Sequence, residues 1–261
     1  MLPGMLLIAA ALAEELETAL NLCSRRKRAR GVGVPLWTGM RGKDMLHFLK
    51  LGVGPARSAA VLQRALDCLK PTSILIIGYA GALDPGLKQG ELVVVERAHL
   101  LPEEFWDVPA KEIGPGVGWP LACSGELCAA AEAAGLPMHR GTALTSSHII
   151  GAPEQKHVLF ETFHAAIIDM ETAALARIAS TTAVPLQCVR AVSDEARDDF
   201  LAFLSHNPAA GPWQRAMQTL AAGSWLRLYS QWRERSEAAR RSLRRFLAWY
   251  LDSSGLYRQE P

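Results

Sequence analysis

Two acids stand where apolar runs end. Glu171 follows "AAIID" and Met170, Asp194 follows "LQCVRAV" and Ser193, and the helical-period segment "METAALARIA" lies between the runs. Carboxylates in such places can pass protons or hold the hydroxyls of a polar ligand. The separation is one helix plus one strand, and in open α/β sheets ligands sit beyond the carboxyl ends of the strands. Neighbouring parallel strands run about 4.8 Å apart, so both side chains can reach one small ligand. Each acid also has a plainer reading: Glu171 favours the first turn of its helix, and Asp194 caps the next. Two acids at consecutive strand ends favour a site.

A glycine-rich stretch, "LIIGYAGALDPGLKQGELVVV" from Leu75 to Val95, follows another buried run. Gly78 and Gly81 let the backbone turn, or approach a ligand without a side-chain clash. The stretch is neither a GxGxxG fingerprint nor a Walker loop, which weakens the case for dinucleotides or ATP. No His/Cys cluster has metal-ligand spacing, so no metal is expected. Cys23, Cys68, Cys123, Cys128 and Cys188 are scattered with no CxxC pair, which suits reduced thiols in the cytosol.

The elements that must position these residues alternate along the chain. Buried strands are expected at Leu6–Leu12, Ser73–Ile77, Leu92–Val95, Gly141–Thr145, Ala165–Asp169 and Leu186–Val192. Helical periods lie at Glu15–Cys23, Pro55–Leu69, Ser124–Ala134, Glu154–Thr162 and Glu171–Ser180. This is an α/β pattern: a mostly parallel or mixed central sheet flanked by helices on both faces. With 261 residues, 49% apolar and 21% charged, the chain can bury a sizeable core. A net charge of +2 gives no broad field for nucleic acid.

Four segments need separate readings. The opening "MLPGMLLIAAALAEEL" reads as a first strand entering a helix, because no Lys or Arg precedes the apolar run and Glu14 and Glu15 follow it. No run reaches the roughly 18 apolar residues of a membrane span. The basic "SRRKRARG" at Ser24–Gly31 reads as a solvated turn. The Pro- and Gly-rich excursion from Leu100 to Pro120 suits a lid or a subunit contact, with Phe105, Trp106 and Trp119 as exposed apolar groups. A domain of residues 1–222 is followed by a basic amphipathic extension, 223–261. Its apolar stripe (Trp225, Leu228, Trp232, Ala239, Leu243, Phe246, Tyr250) opposes Arg227, Arg233, Arg240, Arg241, Arg244 and Arg245. That helix either docks on the domain or lies on an anionic membrane or partner surface.

Taken in order, these pieces resemble the nucleoside phosphorylase superfamily, and within it the methylthioadenosine/S-adenosylhomocysteine nucleosidases. The resemblance rests on "LLIAAALAEEL", "LGVGPARSAAVLQRAL", "IIGYAGALDPGLKQGELVVV", "GTALTSSHII" and "IIDMETAALARIASTTAVPLQCVRAVSDEA", over most of residues 5–200. It implies cleavage of the N-glycosidic bond of a purine nucleoside without a cofactor, inorganic phosphate being a co-substrate if the enzyme is a phosphorylase. Asp194 then matches the acid that protonates N7 of the base, and Glu171 the carboxylate on the ribose hydroxyls. Met170 matches the floor beneath the sugar, and Ile149 and Ile150 the base pocket. Gly78, Tyr79 and Ser193 fall among the substrate-binding positions. Glu15 aligns with the acid that activates water, with Glu14 one step away.

Departures from the family pattern keep three readings open. Tyr79 replaces a small residue, Ile149 stands where an aromatic is common, and Ile76 and Ile77 occupy the ground of the phosphorylases' phosphate-binding arginine, leaving Arg57 as a candidate. "AGALDPGL", "GPARSAA" and the basic C-terminal helix also resemble the hopanoid-associated phosphorylase branch. The readings are a hydrolase of adenine nucleosides, an enzyme acting on an adenosylated lipid at a bilayer, and a non-catalytic nucleoside-binding module. Glu15, Glu171 and Asp194 together argue against the third. A homo-oligomer is expected, in the cytoplasm or at the inner face of the membrane.

Overall fold

The computed structural model describes residues 5–31, 33–106, 116–122, 124–182, 184–199 and 236–253. In chain order the elements are β1 (Leu6–Ala10), α1 (Ala13–Leu20), β2 (Ser24–Arg28), β3 (Leu36–Arg41), β4 (Asp44–Lys50), α2 (Pro55–Leu69) and β5 (Ser73–Ala82). Then come β6 (Leu92–Leu100), a 3₁₀ turn (Glu103–Trp106), β7 (Gly118–Pro120), α3 (Ser124–Ala133), β8 (His139–Thr145) and α4 (Pro153–Phe163). The last are β9 (Ile167–Asp169), α5 (Thr172–Ser180), β10 (Leu186–Asp194) and α6 (Glu237–Ser253).

The central strands are mostly apolar because both of their faces are covered. Leu7 and Ala9 of β1, Ile74 and Ile76 of β5, and Cys188 and Val192 of β10 pack with Leu62 and Leu66 of α2 and Leu175 of α5. Their alternate neighbours Ile8, Leu75, Ile77 and Val189 pack with Leu16 of α1, Leu127 of α3 and Leu243 of α6. Helices therefore flank the sheet on both faces.

The sheet is mixed, and it closes on itself. β5 pairs in parallel with β10, β10 antiparallel with β6, β6 in parallel with β8, β8 in parallel with β9, and β9 antiparallel with β5. β1 pairs with the first half of β5, on the edge that β9 joins at Gly81–Ala82, and the meander β4–β3–β2 hangs from β1. The ring overturns one expectation. The strands carrying the two acids are not parallel neighbours but flank β5 from opposite sides, in opposite directions.

Other departures are local. "SRRKR" is solvated but forms edge strand β2 rather than a turn, held by β3. Basic side chains along an edge discourage pairing with another chain. β5 does not end at Ile77 but runs through both glycines to Ala82. Phe105 is buried, not exposed, in a satellite cluster with Leu101, Leu144, Ile150 and Leu159, so it is not a contact for a partner. Trp119 is half-buried against the core, and Trp106 remains exposed.

Ala239, Leu243, Phe246 and Tyr250 of α6 are all buried. The helix lies on β10, β5, β6 and α1, which leaves its arginine side outward. Trp225, Leu228, Trp232 and the division at 222/223 lie outside the described residues. No described helix is long and apolar enough to cross a membrane. Tyr250 Oη donates to Gln187 Oε1 at 2.8 Å, pinning α6 to β10. Tyr250→Phe leaves a buried acceptor without its donor, which costs about 1–3 kcal/mol. Urea unfolding should show the midpoint fall without a change in slope.

Candidate active site

Gly81 of β5 lies opposite Ile168 of β9 on one side and Asp194 of β10 on the other. The ends of β9 and β10 are thus about 10 Å apart, two strand spacings. The two glycines make room for the side chains of this site rather than for a turn. A Cβ on Gly78 would stand 2.2 Å from Arg190 Nη1 and 2.8 Å from Glu15 Oε1, and one on Gly81 would stand 2.9 Å from Asp194 Oδ2.

Arg190 is the buried hub. It is 1% exposed, with Nη2 2.8 Å from Asp169 Oδ2 and 3.6 Å from Glu171 Oε2, and it donates to Thr172 Oγ1 at 2.9 Å. Asp169 takes over the capping of α5: its Oδ1 accepts the backbone N–H groups of Glu171 and Thr172, each at 3.1 Å. The Glu171 carboxylate makes no cap bond, so it is free to face the cleft, where its Oε1 accepts from Gly54 N at 3.0 Å. Burial pushes Glu171 up to about 7, against the pull of Arg190.

Glu15 hydrogen-bonds across from α1 to β5. Its Oε2 accepts from Leu12 N at 2.8 Å, and its Oε1 accepts from Tyr79 N at 2.9 Å. Burial raises Glu15 above the usual carboxylate range, while Arg190 opposes the shift. Glu14 instead lines a groove between α1 and α6. Tyr79 borders the cleft, and its ring packs in the core shared with α6.

Among the described residues Asp194 caps no helix. Its Oδ2 accepts from Lys156 Nζ at 2.5 Å, and its Oδ1 accepts from Ser193 Oγ at 2.6 Å.

These groups surround one cleft of about 160 Å³. Glu15, Tyr79, Ile149, Ile150, Met170, Glu171, Ser193 and Asp194 all line it, joined by Val53, His148 and Asp169. Gly78 stands behind Glu15 and Arg190 rather than in the lining. Arg57 does not line it either; it is exposed on α2, with its guanidinium stem against Gly52. Arg190, Asp169 and Lys156 were missed from the sequence. A charge inside the buried run "LQCVRAV" was a signal for Arg190; Lys156 in "PEQKHVLF" gave none.

Glu171 makes stability depend on pH. Its folded value of about 7 lies above the ordinary 4.5. Between those values the folded chain holds a proton that the unfolded chain lacks, so stability falls as pH rises through this window. Glu171→Gln should flatten that fall in urea unfolding measured at a series of pH values. An unchanged slope would place its source elsewhere.

A closed mixed sheet with four carboxylates around one cleft defines a class. The chain belongs to the phosphorylase superfamily, whose family model matches residues 5–222. Enzymes of this class cleave N-glycosidic bonds. Among solved structures, the fold is similar to a futalosine hydrolase mutant of Helicobacter pylori, with a TM-score of 0.72 and 18% identity over 96% of this chain and 99% of that one. It is similar to the 5′-methylthioadenosine/S-adenosylhomocysteine nucleosidase of Campylobacter jejuni, with a TM-score of 0.70 and 16% identity over 96% and 99%. The Helicobacter pylori nucleosidase with butyl-thio-DADMe-Immucillin-A gives 0.72 and 17% over 97% and 100%.

Proposed function

We propose that the protein hydrolyses the N-glycosidic bond of an adenine nucleoside of the methylthioadenosine or S-adenosylhomocysteine type. The convergence of Glu15, Glu171 and Asp194 on one cleft carries this reading. Bond cleavage builds positive charge on the sugar and negative charge on the base. Carboxylates at the sugar stabilise the first, and a proton at the base relieves the second. In this scheme Glu171 accepts the ribose hydroxyls, and Met170 lies under the sugar. Ile149 and Ile150 flank the base, Ser193 and Asp194 face N7, and Glu15 takes a proton from water. The names of the similar structures, a futalosine hydrolase and methylthioadenosine nucleosidases, support a nucleoside substrate.

Water is favoured over phosphate by the lining. Among the described residues no Lys or Arg borders the cleft, and a phosphate dianion there would face Glu15 and Glu171. Among the described residues, burial of the α6 stripe, Phe246 included, supports a soluble nucleoside over an adenosylated lipid, because little apolar surface of that helix remains to enter a bilayer. Exposed Trp106 and Val117 support a homo-oligomer, which sedimentation would test.

Methylthioadenosine is the test substrate, with and without inorganic phosphate. Adenine and free methylthioribose should form in both. Sugar 1-phosphate formed only with phosphate would replace hydrolysis by phosphorolysis. Failure to release adenine from any adenine nucleoside would refute the reading.

A further inference from the structure

Lys156 reaches the site from α4 with its side chain 0% exposed. Lysine is almost never fully buried unless it is paired. Here Nζ donates to Asp194 Oδ2 at 2.5 Å, to the Glu195 carbonyl at 2.8 Å and to the Asp198 carbonyl at 3.3 Å. All three ammonium hydrogens have an acceptor. Among the described residues, only Lys156 and Ser193 hydrogen-bond the Asp194 carboxylate. A carboxylate facing purine N7, itself a lone pair, has nothing to donate. The ammonium beside it holds the proton that the reaction needs.

We infer that Lys156 supplies, through Asp194, the proton that the departing purine takes up at N7. The inference rests on the nucleoside hydrolysis proposed above. As the C1′–N9 bond breaks, its electron pair moves onto the base. N7 takes the proton of the Asp194 carboxyl, and Asp194 takes one from Lys156 Nζ. Water adds its oxygen to C1′ and gives a proton to Glu15. Lys156 ends as a neutral amine one proton short, Glu15 ends one proton richer, and solvent resets both. The two hydrogens left on Nζ still meet the Glu195 and Asp198 carbonyls, so the amine stays bonded where it stood. Those carbonyls hold the donor against Asp194 throughout, which makes Lys156 a positioning and relay residue.

Lys156→Arg and Lys156→Met separate proton supply from charge. Arginine keeps the charge and the donors but does not give up a proton in proteins. With methylthioadenosine, both variants should lose about 10²-fold or more in kcat, the contribution of a positioned acid. KM should move far less, and adenine should still bind, as calorimetry would show. Arginine restoring kcat to near wild type would overturn the inference, leaving charge alone as the role. Loss of adenine binding in both variants would also overturn it, making Lys156 a support for the 195–198 turn. A wild-type protein inert on adenine nucleosides is a separate result: it removes the proposed function, and this relay with it.

Discussion

Asp194→Asn lowers kcat on methylthioadenosine by about 10²–10⁴-fold while KM stays close to its starting value. The amide fills the same space above Gly81, and its oxygen still accepts from Lys156 or Ser193. Its nitrogen can hydrogen-bond the purine ring, so ground-state contact survives. What it cannot do is surrender a proton as negative charge gathers on the base. An interaction needed only in the transition state shows in kcat and kcat/KM alike and spares binding. Steady-state kinetics with the adenine product followed directly would measure both. A near-normal kcat would assign base protonation to another group and remove Asp194 from the scheme.

The sequence made the core strands legible and hid much of what joins them. Strands β1, β5 and β10 are buried on both faces along most of their length, as is β6 over Leu92–Val95, and β8 is buried at Gly141 and Ala143–Thr145, so apolar runs mark them, and α2 begins at Pro55 and ends at Leu69 as expected. The β2–β4 meander was unread because "SRRKR" is exposed at every position and owes its extension to pairing with β3. A clue lay in the two-residue loop Gly42–Lys43, where Gly42 takes φ +59° between Arg41 and Asp44. Glycine at that position is a hairpin signal. Closure of the ring was beyond reach, since it depends on three-residue β9 running antiparallel to β5.

In the site, the acids stood out because they end apolar runs. Their cationic partners did not. Apolar periodicity treats a buried run as uniform, so Arg190 passed as one more position in a strand. Lys156 sits on a weakly amphipathic helix where only the contacts made by its Nζ distinguish it. Such partners are set by tertiary approach, across 38 residues for Lys156 and Asp194, and no local pattern encodes that.

Arg190→Met is expected to cost about 3–5 kcal/mol of stability, the range for removing one partner of a buried ion pair. Arg190 is the cation of a cluster that holds Asp169 at 2.8 Å and Glu171 at 3.6 Å. Glu15 also feels its charge. Methionine fills part of the volume beside Gly78 but leaves these carboxyls to face one another in a dry interior. They can escape only by binding protons. The folded values of Glu171 and Glu15, already raised by burial, then rise further above the unfolded ones, and a raised carboxyl makes stability fall as pH increases. The variant should therefore be least stable above neutrality and recover part of the loss toward pH 5, with a steeper slope than wild type. Urea unfolding of both proteins across that range measures the slope and the loss together. A variant within about 1 kcal/mol of wild type at pH 8, with a parallel pH profile, would mean that Arg190 does not hold the carboxylates in place and that the cleft is organised by backbone donors such as Gly54 and Tyr79 instead.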